Sequence, residues 1–325
     1  MLLAKAMNTK AGTKQFLSVM AIAASVLISA PAESQSVRGG FLYTLSSFTG
    51  AIPYNWSRVT ADKERKEIYA LYQNTVSVFN ESGMEIYHFG DDLDLGQIVD
   101  MAVDEQGDIL LLVYKESQSD VVRCNYRGEI KSRIELKNVP SGLSPLYSSF
   151  SPNRMVYQDG NIYLASLSEL KILVADREGN FKGGFDIFPL LDLEEKERGN
   201  LEIVGFSVYR EGNILMTIPV LFSAYVLSPD GKINPFGKPG SAPGKFNVVA
   251  GIARDSKGNY LVVDRLKAAV MVFDKTFNFV TQFGSRGYKP GDLIFPDEIA
   301  LDVGQRVYVT QMGKRGVSVF KLTYN

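Results

Sequence analysis

Met101-Ala102-Val103-Asp104-Glu105-Gln106-Gly107-Asp108-Ile109-Leu110 and Ile252-Ala253-Arg254-Asp255-Ser256-Lys257-Gly258-Asn259-Tyr260-Leu261 are two copies of one pattern. In each, an apolar stretch is followed by a polar turn with Gly and then by a second apolar run. Asp or Asn opens such a turn by bonding its own backbone, and Gly supplies the position with φ > 0. Weaker copies centre on Asp159-Gly160-Asn161-Ile162-Tyr163 and on Arg210-Glu211-Gly212-Asn213-Ile214, while Val59 to Tyr69 and Ile299 to Val309 are degenerate members. The markers Asp62, Gly107, Gly160, Gly212, Gly258 and Gly304 lie 45 to 53 residues apart.

A second turn recurs out of phase with the first. It reads Phe79-Asn80-Glu81-Ser82-Gly83, Cys124-Asn125-Tyr126-Arg127-Gly128, Ala175-Asp176-Arg177-Glu178-Gly179, Leu227-Ser228-Pro229-Asp230-Gly231 and Phe273-Asp274-Lys275-Thr276-Phe277. Each unit is therefore strand, turn, strand, loop, strand, turn, strand. A four-stranded unit of about 45 residues is one propeller blade. Six units follow, and the sixth ends at Val317 to Leu322 with no second turn and no fourth strand. Upstream of the first unit lies a spare apolar segment, Gly40-Phe41-Leu42-Tyr43-Thr44-Leu45. A strand over about residues 40–46 that completes the last blade would close the ring and remove an exposed sheet edge. The expectation is an all-β, six-bladed β-propeller, one domain over residues 33–325.

The start of the chain reads differently. Lys5, Lys10 and Lys14 precede an apolar run, Phe16 to Ile28, and then Ala30-Pro31-Ala32. A basic region, a short apolar region and an A-x-A site make a cleaved signal peptide over residues 1–32, started from Met1 or from Met7. The run is shorter than the ~20 residues that span a bilayer, so no membrane span is expected after cleavage. Export places the protein in the periplasm or outside the cell.

Removing that segment takes away three lysines and no acids, leaving 32 basic against 36 acidic residues in the rest of the chain. This balance argues against a nucleic-acid partner, whose usual footprint is a basic stripe. The single Cys, Cys124, excludes an intramolecular disulfide, a Cys-based zinc site and a haem attachment. It lies in Val121-Val122-Arg123-Cys124, which alternates like a strand and predicts a buried, inert thiol. The single His, His88, excludes any site needing two imidazoles and is placed on the outer strand of blade one.

The best repeat runs Phe236-Gly237, Gly240, Gly244, Phe246, Gly251-Ile252-Ala253, Asp255, Gly258-Asn259, Val263-Asp264 and Val272-Phe273-Asp274. Its successor repeats the opening as Phe283-Gly284, Gly287, Gly291, Pro296 and Ile299-Ala300-Leu301-Asp302. These residues resemble the NHL family of β-propellers, over roughly residues 236–320. Val249 stands where that family usually has Pro, and Glu298 where it has Gly. The resemblance implies the propeller fold and leaves activity open, because NHL propellers include enzymes, RNA binders and protein scaffolds. The zinc lyases of the family need several histidines, which this chain lacks. Calcium-dependent lactonase propellers use carboxylates and Asn around the channel mouth and are compatible with the composition.

Two loops carry chemistry of their own. Asp91, Asp92 and Asp94 sit between blades one and two and are candidate Ca²⁺ ligands, though without EF-hand spacing. Phe188 to Asn200, between blades three and four, predicts a short exposed helix with Pro189 at its start and Gly199 at its end. The main candidate site is the ring of residues just before each innermost strand's apolar tetrad: Arg58, Asp100, Arg154, Gly205, Gly251 and Glu298, with Asn153 an alternative to Arg154. Four charges at one channel mouth would orient a polar ligand or pair across the opening and plug it. Trp56, Asp264, Arg265, Gln311 and Arg315 are expected on the same face.

The reading is an exported, non-catalytic scaffold without a resident cofactor. It would bind an envelope or extracellular protein, or an extended ligand, on one face, as a monomer or within a hetero-complex. By analogy with exported members of the family, that complex would be of the cytochrome type. The alternative is a calcium-dependent lactonase or hydrolase acting at the channel mouth.

Overall fold

The computed structural model of the chain describes residues 36–47, 50–51, 57–62, 65–90, 95–116, 118–141, 143, 150–312 and 316–325. The expected signal peptide, Trp56, Arg315 and the Asp91, Asp92 and Asp94 cluster lie outside these residues. Six antiparallel four-stranded sheets succeed one another along the chain. Their innermost strands are Arg58–Ala61, Gln97–Val103, Arg154–Gln158, Phe206–Tyr209, Val249–Arg254 and Pro296–Leu301. Each innermost strand touches the next, and that of blade six touches that of blade one. The result is a closed six-bladed β-propeller.

Closure uses both ends of the described chain. Blade six takes three strands from the C-terminal part, Pro296–Leu301, Arg306–Gln311 and Val317–Tyr324, and its fourth from Val37–Thr44. That fourth strand pairs antiparallel from Val37 opposite Tyr324 to Thr44 opposite Ser318, with an irregularity between Phe41 and Tyr43. It begins earlier than the apolar segment read from the sequence, because Gly39 and Gly40 hide the alternation. Gly39 is small for a packing reason: a Cβ there would lie 2.4 Å from the ring of Phe283 on blade five.

The buried apolar side chains form a cluster at each of the six blade junctions. Between blades one and two, for instance, Tyr69, Leu71 and Val76 pack on Met101, Ile109, Leu111 and Val113. Leu45, Ile68 and Phe79 meet Tyr308, Val317 and Val319 where blade six joins blade one. The second strand of a blade is covered on both faces, so Ile109, Leu110, Leu111, Leu112 and Val113 are all buried. This explains the unbroken apolar runs in the repeat, which a sheet with one wet face would have interrupted. Each such side chain contributes about 1.5–3 kcal/mol by leaving water.

The recurring turns have one construction. Asp104 Oδ1 accepts the backbone N–H groups of Gln106 and Asp108, both at 2.9 Å. Asp255 does the same for Lys257 and Asn259 at 2.9 and 2.8 Å. In the second turn, Asn80, Asn125, Asp176 and Asp274 each hold the N–H groups two and four residues on. A carboxylate and an amide oxygen are equivalent here, so the position tolerates both.

The insertion between blades three and four, expected to hold one short exposed helix, is divided into two. It forms two short 3-10 turns, Phe188–Leu191 and Glu195–Asn200. Pro189 does sit in the first turn, and Glu194 and Glu197 form a reciprocal cap on the second. Ile187, Phe188, Leu201 and Ile203 are buried in the junction between blades three and four, and Leu190, Leu191 and Leu193 pack against the same cluster. Cys124 is buried and free, and burial pushes its thiol up to about 11. His88 lies on the outermost strand of blade one with Nδ1 3.0 Å from Glu85 Oε1.

Two predictions follow from this architecture. A Cβ at Gly251 would stand 2.7 Å from the carbonyl of Asp297 and 2.8 Å from the amide of Ile299, both backbone atoms of the next blade. Gly251→Ala should therefore cost about 1–3 kcal/mol in urea unfolding, although alanine is otherwise benign in a strand. Burial raises the Asp274 carboxyl, but the hydrogen bonds from Thr276 and Asn278 outweigh it and hold the group below the ordinary 3.8. Its stabilising effect is thus complete above that value and lost as pH falls through the folded pKa. Asp274→Asn should match the parent at neutral pH, whereas Asp274→Ala should lose about 1 kcal/mol by thermal unfolding.

Candidate functional site at the channel mouth

The innermost strands all run from the same end of the ring, and Arg58, Asp100, Arg154 and Glu298, at or near their starts, come together there. Arg58 opens the strand of blade one and Arg154 that of blade three. Asn153 is not an alternative occupant, since its Oδ1 accepts the Leu167 N–H at 3.1 Å. In blade six the pairing is regular at Pro296–Gln311 and again at Ile299–Val309, with an irregularity between. Such a bulge re-aims side chains, and here consecutive residues reach different blades. Glu298 turns to blades one and three, and Asp297 to blade five.

Glu298 is the shared acceptor. Its Oε1 accepts from Arg58 Nη1 at 3.2 Å and also from Arg154 Nη2. The Glu298 amide is fixed by Thr310 Oγ1 at 2.9 Å, as that of Gly205 is fixed by Thr217 Oγ1 at 2.8 Å. Asp297 Oδ1 accepts from both Nε, at 3.0 Å, and Nη2 of Arg265. Asp100 is buried and spends both oxygens on backbone, Oδ1 on Met101 N–H at 2.9 Å and Oδ2 on Met155 N–H at 2.8 Å. It thereby ties blade two to blade three beside Arg154.

Three guanidinium groups and three carboxylates are gathered within mutual electrostatic reach. The Arg154 side chain is only 6% exposed. Burial, reinforced by the neighbouring charge of Arg58, pushes its guanidinium down to about 9, against the pull of Asp100 and Asp297. It therefore stays charged at neutral pH. Among the described residues, five buried side-chain atoms make no hydrogen bond: Arg58 Nε, Arg154 Nε and Ser57 Oγ here, and Asp104 Oδ2 and Arg123 Nε in blade two. Buried donors without partners are costly, and two of the five belong to the guanidinium groups of the mouth.

Blades four and five contribute glycines to the ring for steric reasons. A Cβ at Gly205 would lie 2.3 Å from the carbonyl of Ala250, and Gly251 is equally confined. The charged ring positions are thus those of blades one, two, three and six, with Arg265 reaching in from the loop of blade five. Asp264 and Gln311, also expected at this face, are not part of the cluster. Asp264 is fully buried and accepts the N–H groups of Asn247 and Lys267 at 2.7 and 2.9 Å. Gln311 accepts from Ile294 N–H at 2.9 Å and donates to Ser318 Oγ at 2.6 Å. Both end a second strand, where a buried side chain satisfies loop amides that no strand can reach.

One member of the cluster, Asp297, was not singled out from sequence. Its signal is the acidic doublet Asp297-Glu298 after Pro296, which a bulge can split between two partners. No group of three or more His, Cys, Asp or Glu poised to hold a metal occurs among the described residues. The chemistry on offer is hydrogen bonding and charge, and a charged cleft between low-dielectric walls focuses its field on a polar ligand.

Removing the shared carboxylate leaves two guanidinium groups facing each other with little solvent. Glu298→Gln should therefore cost about 3 kcal/mol in denaturant unfolding. The single change Arg58→Ala, which leaves Glu298 paired with Arg154, should cost clearly less.

Comparison with known proteins bears on the fold. Residues 249–325 match a family described as 6-bladed beta-propeller. No curated protein matches the chain. A protein of unknown function from Bacteroides thetaiotaomicron is similar at TM-score 0.60 and 15% identity, covering 89% of this chain and 76% of that one. An auxiliary nutrient binding protein from Bacteroides ovatus gives 0.57 and 14%, covering 89% and 77%. A catalytically inactive virginiamycin B lyase from Staphylococcus aureus with quinupristin gives 0.54 and 11%, covering 89% and 99%. At these identities the likeness is one of fold, and the fold is the six-bladed β-propeller.

Proposed function

We propose that this chain is an exported, non-catalytic propeller, NHL-like in its repeats, that holds an envelope protein or an extended polar ligand over the charged mouth. One observation carries the reading: six ionised side chains from five blades converge where apolar residues would close the channel at lower cost. Replacing a buried ion cluster by well-packed apolar side chains is often neutral or stabilising. A cluster that keeps its charges and leaves Arg58 Nε and Arg154 Nε without partners is better suited to recognition than to stability. The amino-terminal pattern of Lys5 to Ala32 supports export. The nutrient-binding neighbour carries the same fold in a binding role.

The test separates a plug from a recognition site. In the triple variant Arg58→Met, Arg154→Met and Glu298→Met, the channel is closed by apolar groups. Its melting temperature should equal or exceed that of the parent, while the envelope proteins co-purified by the parent from its native cells should be lost. Recovery of the same proteins by a folded triple variant would overturn the reading.

A further inference from the structure

A second concave site lies at the opposite end of the ring. Each innermost strand runs from the mouth to its first turn, so the turns of blades one and two stand at the far face. Between them is a groove of about 520 Å³, within the range of small-molecule sites. Its lining includes the buried Tyr69 and Val78, with the Tyr69 hydroxyl donating to Glu67 Oε2 at 2.8 Å, and the part-exposed Tyr87 and Tyr126. Tyr126 is 60% exposed and Tyr87 43%, a heavy exposure for large side chains in a chain that buries most others.

The walls are held in place. Tyr87 Oη donates to the carbonyl of Arg127 at 3.0 Å, which joins the outer strand of blade one to the second turn of blade two. The Arg127 guanidinium lies over the Tyr126 ring, 5.3 Å from its centroid. Arg65 crosses between the blades, donating to Asp62 Oδ2 at 3.0 Å and to the carbonyl of Gln106 at 2.6 Å. Gly107 makes that crossing feasible, because a Cβ there would overlap the guanidinium. Asn125 is locked by its own turn, with Nδ2 on Glu129 Oε2 at 2.7 Å. The groove is thus a preformed shape, which lowers the entropy cost of occupying it.

Its chemistry selects among ligand classes. Arg65 and Arg127 on the lining are balanced by Glu67 and Asp108, so there is no excess of positive charge for a phosphate or a nucleotide. Ionised groups of both signs around the rim are expensive to cover with an aliphatic chain. Flat apolar faces beside a mixture of fixed donors and acceptors suit a ring with C–H groups on its faces and hydroxyls, each both donor and acceptor, on its edge. We infer that the groove between blades one and two binds a neutral oligosaccharide, packed against the exposed parts of Tyr126 and Tyr87 and hydrogen-bonded by Arg127 and Glu67.

The experiment is calorimetric titration of the whole protein with maltohexaose, cellohexaose and xylohexaose, with inorganic phosphate as the charged comparison. At least one hexaose should bind and phosphate should not. Tyr126→Ala should weaken binding about tenfold or more, with circular dichroism showing that the variant is folded. Tyr126→Phe should stay within about twofold, since the ring face is kept. The Arg58→Met, Arg154→Met, Glu298→Met variant should bind as the parent does, so failure here and failure of the mouth reading are distinct results. The inference is overturned if none of the three hexaoses binds, if phosphate binds in their place, or if Tyr126→Ala binds as tightly as the parent.

Discussion

Each blade of this protein is apolar on both faces, and that single constraint organises the molecule. A sheet with two dry faces must be covered twice, and in a ring every blade is covered by its neighbours. The six clusters at the six junctions are the consequence, and they admit no missing member. A gap would expose one apolar face on each side of it. Blade six therefore recruits Val37–Thr44 from the start of the propeller, and Phe41 packs edge-on against Phe320 at a centroid distance of 5.7 Å. The closing strand serves core burial as much as edge protection.

Closing the ring also forces six strands to converge on an axis, which creates the mouth. Backbones there approach so closely that Gly205 and Gly251 have no room for a Cβ. Thr217 and Thr310 use their hydroxyls to satisfy amides that strand pairing leaves over. Where side chains do fit, they are charged, and they are partnered across blades rather than within them. Glu298 links blades six, one and three, and Asp297 links blades six and five. Such a network specifies how blades sit around the axis while offering polar atoms to a ligand.

The two ends of the ring differ in character for the same geometric reason. The mouth is where strands begin, crowded and charged, with little aromatic surface among the described residues. The far end carries the recurring Asp- and Asn-opened turns of the blades. Between blades one and two those turns leave a groove in which Tyr69 is buried, while Tyr87, stacked on Phe89, and Tyr126, under the Arg127 guanidinium, keep part of their rings exposed. Arg65 bridges the gap on one side without filling it.

The amino-acid sequence by itself determined the number of blades, their strand order and the closure. These are local quantities, because a turn needs Asp or Asn with Gly at set offsets and a two-faced strand needs an unbroken apolar run. Counting within the repeat also proposed corresponding places for Arg58, Asp100, Arg154 and Glu298, of which the structure joins Glu298 to Arg58 and Arg154 and spends Asp100 on backbone amides. The exact start of the closing strand was obscured by Gly39 and Gly40, whose reason lies in Phe283, far away in the chain. Which charges pair was not legible either. Glu298 meets Arg58 from 240 positions away and Arg154 from 144, and Asp297 joins only because a bulge turns it toward Arg265. Asp264 and Gln311 look like site residues in one dimension and prove to be braces in three. The groove of Tyr87 and Tyr126 has no trace in the repeat. Pairing, bracing and concavity depend on distances across the ring, and only the closed tertiary structure sets those.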